Sequence, residues 1–139
     1  MSQSIRYQFL PGPVGEMLRS ASLATTASIP LTGRLVITTG HVGLNLETGE
    51  FVTSSLEDEF NAVFNCLDAA LKNGGVRGGL ASAHKIVAYL LRAEDEAVML
   101  AVFRQRCPGH TPTWSSVVVA GMINPGVNAE VQAEAIAAE

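Results

Sequence analysis

Between Ser54 and Gly75 the chain specifies one helix completely, and this segment constrains the fold more than any other. Ser54 and Ser55 stand three residues before Glu57 and Asp58, the pattern of a capping box that satisfies free N–H groups at a helix start. Leu56, Phe60, Val63, Phe64, Leu67, Ala70 and Leu71 then recur at steps of three and four, an apolar stripe that must face a core. Asn73-Gly74-Gly75 ends the run, because glycine accepts a left-handed cap without steric cost.

Around this helix the sequence reads mostly as strand. Ile5, Tyr7 and Phe9 alternate with polar residues until Pro11-Gly12-Pro13 stops them. Ser20 to Thr26 is weakly β-like. Arg34 to Thr39 reads as a short buried strand ended at Gly40, and Glu47-Thr48-Gly49-Glu50 as a turn. Ala83 to Leu91 is a β-prone run. Acidic Glu94, Asp95 and Glu96 open a second helix through Val98, Met99, Val102 and Phe103 to about Arg106, closed by Cys107-Pro108-Gly109. Ser115 to Ala120 is a strand with three consecutive valines, and Val131 to Ile136 closes the sheet, its alanines being poor strand formers. The order predicts one α+β domain over residues 1–139, a mixed sheet with both helices on one face.

Composition narrows the function. Hydrophobic residues make up 47% and charged residues 16%, enough apolar surface for a core and little charge to solvate a monomer, so partner subunits are expected to cover part of the surface. A net charge of −4 with only nine scattered Lys and Arg argues against nucleic acid, which is bound through basic stripes. The N-terminus lacks the basic head and apolar run of a signal peptide, and no stretch approaches the roughly 20 apolar residues that span a bilayer. A cytoplasmic protein without membrane partners is expected. Cys66 and Cys107 have no metal-ligand spacing and read as buried thiols.

The chemistry-bearing residues are few. Gly74-Gly75-Val76-Arg77-Gly78-Gly79 follows a helix and precedes a strand, the wrong order for a phosphate cradle. No Gly-x-Ser-x-Gly elbow marks a nucleophile. The three histidines show no zinc spacing, and no metal is expected. His84 lies within a strand and reads as structural; His110 sits in a turn. Thr39 and His41 would share a face if their strand continued, and a hydroxyl beside an imidazole suits acid–base work near neutral pH. Trp114, the single tryptophan, is core or pocket wall at a strand entrance, with core favoured.

Taken in order, several segments resemble the YjgF/Rid (reactive intermediate deaminase) family. They are Val14-Gly15-Glu16-Met17, Ile37-Thr38-Thr39-Gly40-His41, Asn45-Leu46-Glu47-Thr48-Gly49-Glu50, the helix from Phe64 to Gly75, Lys85-Ile86-Val87-Ala88-Tyr89-Leu90, Pro112-Thr113-Trp114-Ser115 and Val131-Gln132-Ala133-Glu134-Ala135-Ile136. The resemblance implies a chorismate-mutase-like fold, a homotrimer with a central barrel, ligand clefts between subunits, and hydrolysis of enamines or imines without cofactor. It also implies departures. Trp114 stands where the family has the arginine that grips a substrate carboxylate, Gln132 replaces its glutamate, Met17 its tyrosine and Leu100 its asparagine. Thr39 replaces a serine, and Ser116 the cysteine of some members. Loss of a bidentate arginine removes about 2–4 kcal/mol of carboxylate recognition. The resemblance therefore implies a greasier cleft shaped by Met17, Gly40, Leu100, Trp114, Ser116 and Gln132, with Thr39, His41 and Glu134 as candidate catalytic groups. Glu134 is in phase with Gln132 along its strand. A non-catalytic ligand-binding trimer is the alternative expectation.

Overall fold

The computed structural model describes residues 5–138; the Met1-Ser2-Gln3-Ser4 stretch read above for a leader, and Glu139 at the end of the small-residue tail, lie outside them. Strands β1 (Arg6–Gln8) and β2 (Thr26–Ser28) form a two-stranded antiparallel sheet with helix α1 (Pro13–Ser20) between them. Strands β3 (Arg34–Ile37), β4 (Ala83–Leu90), β5 (Thr113–Val118) and β6 (Ala129–Ala137) form the main sheet in the order β3-β6-β4-β5. The β4–β5 pair is parallel and the other two pairs are antiparallel, so the sheet is mixed as expected. Helices α2 (Leu56–Asn73) and α3 (Asp95–Arg106) cover one of its faces.

Helix α2 forms as its sequence dictates. The Ser55 hydroxyl accepts the Asp58 N–H at 3.0 Å, Ser54 Oγ donates to the Asp58 carboxylate, and Gly75 takes a left-handed φ of 101°. Its stripe of Phe60, Val63, Phe64, Leu67 and Leu71 is wholly buried against Ile86, Ala88 and Leu90 of β4 and Met99, Val102 and Phe103 of α3. Strand β6 alternates without a break: Ala129, Val131, Ala133, Ala135 and Ala137 are buried toward the helices, and Glu130, Gln132, Glu134 and Ile136 point the other way. Its alanines, poor for strand propensity, are what let α2 lie close to the sheet. Gly43 serves the same purpose in the loop before α2, where a Cβ would come within 2.6 Å of the Glu59 carbonyl oxygen.

Helix α1 is the element that the sequence reading passed over. Pro13 occupies the start of the helix, where its fixed φ suits the turn and its missing N–H costs nothing, so a proline read as a strand stop also begins a helix. No helix among the described residues is long and apolar enough to cross a membrane.

Candidate functional site

The candidate residues on the sheet lie at three places, and Met17 and Leu100 lie on helices. At the first, β3 stops at Ile37, opposite Glu134, and pairing resumes where His41 exchanges both backbone hydrogen bonds with Val131, at 2.8 and 2.9 Å. Four steps on one strand match three on the other, so an extra residue bulges between Thr38 and His41. The strand does not continue regularly, and Thr39 and His41 do not share its face. Thr39 is exposed, while His41, opposite Val131, turns toward the helix side. The Glu130 carboxylate rests over Gly40, where a Cβ would lie 2.5 Å from Oε2. Burial lowers the proton affinity of His41, and the nearby Glu130 charge partly restores it. Gln132 donates its amide to the Thr38 carbonyl at 3.0 Å.

Trp114 and Ser116 occupy the opposite edge of the sheet. Trp114 pairs with Ile86 across the parallel ladder and so faces the helices. Its half-buried indole packs edge-on against Phe103 and Phe64, with ring centres 5.1 and 6.3 Å away, and Nε1 donates to Ser116 Oγ at 2.9 Å. The indole is thus joined to the core, and its donor is already used. Leu100 is half-buried on α3, and Met17 on α1 is 64% exposed. Three strand spacings, roughly 14 Å, separate the β3 edge from the β5 edge. One chain therefore does not bring His41 and Trp114 together.

Glu134 stands at the third place, mid-sheet on the face away from the helices, with Gln132 on the same face. Its neighbours are not Thr39 and His41 but His84, with Nε2 3.4 Å from Oε2, and Lys85, with Nζ 3.9 Å from Oε1. Sequence reasoning set His84 aside as structural and missed Glu130 and Lys85. The alternation of Glu130, Gln132 and Glu134 was a signal that would have found the first of these.

Recesses of 210, 270 and 390 Å³ open elsewhere, and none of these three includes a candidate residue. Among the described residues no cluster of His, Cys, Asp or Glu is suited to hold a metal. Both cysteines are buried and free, and burial raises the Cys107 thiol. Burial also pushes Tyr7 up to about 12; its ring meets His110 edge-on at 5.4 Å.

All three histidines hold protons less tightly than a free imidazole, burial being the main cause in each. The unfolded chain therefore binds more protons near pH 6.5, and unfolding free energy rises with pH there. Stability from this source is complete above about pH 6.5 and is lost as the pH falls toward the native-state values. We expect the thermal midpoint to drop between pH 7.5 and 5.5, where carboxylates change little. A midpoint that is flat or rises on acidification would contradict this.

Comparison with known proteins agrees with the fold. The family model for endoribonuclease L-PSP matches residues 22–138. The Rid-family protein YyfB of Yersinia pestis has the same fold, at a TM-score of 0.80 and 19% identity, over 96% of this chain and 99% of that one. A putative endoribonuclease of Thermotoga maritima is similar at 0.69 and 21% identity over the whole of both chains. RidA of the Antarctic bacterium Psychrobacter is similar at 0.67 and 23%, over 96% of this chain and 98% of that one. A search among curated proteins finds no match. With a family model spanning most of its length, residues 22–138, and the same fold in Rid structures, the chain belongs to the endoribonuclease L-PSP, or YjgF/Rid, family.

Proposed function

We propose that this chain is a divergent Rid-like enzyme of the cytoplasm. It acts on a small, largely apolar metabolite by hydrolysis, deamination, tautomerisation or ring closure. It uses no cofactor and works in a cleft between the subunits of a homotrimer. The observation that carries this reading is Trp114. At the place where the resemblance puts a carboxylate-gripping arginine, an indole is packed on Phe64 and Phe103 with its N–H spent on Ser116. No residue of β5 carries a positive charge, so a substrate with a free carboxylate has nothing there to hold it.

Two features support a shared cleft. His41 and Trp114 sit on opposite edges of the sheet, and a second copy is the simplest means of joining them. The face of the sheet away from the helices leaves apolar side chains uncovered in one chain beside the polar groups of β6: Leu35 is 55% exposed, Ile37 53% and Val117 46%. His41 and Glu134 supply the acid–base capacity such reactions need. RNA cleavage has less support, because the net charge is −4 and the nine Lys and Arg are scattered.

A non-catalytic ligand-binding trimer is the second reading. It is favoured by Gln132, which replaces a potential base and whose amide is engaged by the Thr38 carbonyl. One assay addresses the archetypal chemistry. With enamines generated in situ from serine or threonine, we expect ammonia release no faster than in protein-free controls. Rapid, protein-dependent release would overturn the proposed substrate class.

A further inference from the structure

Strands β4 and β6 fall out of register at one step. Ala83 pairs with Ala135, yet Lys85 pairs with Glu134, so His84 and Lys85 together stand opposite a single residue. In a regular ladder Lys85 would turn toward the helices. The bulge turns both side chains onto the face that carries Glu134. The two carboxylate oxygens are then divided between them, Oε2 near His84 Nε2 at 3.4 Å and Oε1 near Lys85 Nζ at 3.9 Å.

His84 is itself held firmly. It is 4% exposed, its carbonyl accepts the Thr113 hydroxyl at 2.9 Å, and the preceding Ala83 carbonyl lies 2.6 Å from His110 Nε2. Its Nδ1 is buried and has no partner. A neutral imidazole carries one proton, and only Nε2 faces an acceptor, so the arrangement favours the tautomer with the proton on Nε2.

We propose that His84 is the positioning residue for Glu134: the bulge directs its Nε2–H at one carboxylate oxygen while Lys85 holds the other, fixing the orientation of the carboxylate on the open face of the sheet. This deepens the reading of Glu134 as an acid–base group and rests on it. A base held in one geometry avoids the loss incurred when a reacting group must first be ordered. The charged groups facing the ring are Glu134 from β6 and Lys85 from β4 itself. Burial is the main influence lowering the proton affinity of His84; Glu134 raises it and Lys85 lowers it.

The test is nitrogen-15 NMR of histidine-labelled protein. In the wild type at pH 7 we expect a neutral His84 protonated on Nε2. Its titration should move to lower pH in Glu134→Gln and to higher pH in Lys85→Met, and 1 M salt should shrink the Lys85 effect. A proton on Nδ1, or a midpoint that ignores Glu134→Gln, would overturn the assignment. Should a variant fail to fold, the wild-type tautomer alone still decides it. Neither arm uses a substrate. Failure of the catalytic reading would therefore leave the pairing intact, and failure of the pairing would leave Glu134 able to act alone.

Discussion

Phe64→Ala should destabilise the protein by about 3–5 kcal/mol, the usual cost of removing a buried phenylalanine and leaving a cavity. Phe64 has no exposed surface and lies where the two helices meet the sheet, 5.6 Å from the Phe103 ring and 6.3 Å from Trp114. Against a typical stability of about 5–15 kcal/mol, such a loss would leave the fold marginal. Urea unfolding should show a lower midpoint with an unchanged slope. Since Trp114 is the single tryptophan, its fluorescence should also shift to the red as water reaches the indole. A loss below about 1 kcal/mol would mean that the site collapses around the deletion, and that Trp114 is less tied to the core than its contacts imply.

Glu59→Ala should cost about 3 kcal/mol, from two charge-assisted hydrogen bonds at roughly 1.5–3 kcal/mol each with incomplete additivity. Glu59 is 4% exposed and sits in the first turn of α2, where negative charge is favoured. Its two oxygens accept the backbone N–H of Asn128 at 2.8 Å and the Asn128 amide at 2.7 Å, which fastens α2 to the segment leading into β6. Alanine would leave both donors of the half-buried Asn128 without this partner. Glu59→Gln keeps one acceptor oxygen and should lose about half as much. If the two variants were equally stable, the clamp would be incidental to folding.

The sequence made some of this legible. Capping serines, a stripe at helical spacing and a glycine stop are local signals, and α2 obeys each of them. The valine run and the acidic opening of the second helix were equally local, and β5 and α3 followed. Helix α1 escaped because a proline can stop a strand or open a helix; β1 has already ended at Gln8 and Pro13 opens α1, and composition cannot separate the two roles. Glu59 escaped because its partner lies 69 residues along the chain. The candidate site was legible as a set of residues but not as a geometry. Whether Glu134 meets His41 or His84 depends on two register slips, one beside Thr39 and one at His84, and no pattern of residue types announces a slip. Trp114 was readable in either of two ways, and its packing on Phe64 and Phe103 gives weight to the core side of that choice.

The alanines of β6 bear on how cheaply the molecule is ordered. Ala129, Ala133, Ala135 and Ala137 have no rotamers to lose, so lining the helix side of the sheet with them sacrifices no side-chain entropy on folding. The same economy removes tolerance. A surface built from methyl groups has no flexible arm that can swing aside, so any added bulk there must be absorbed by displacing a whole helix.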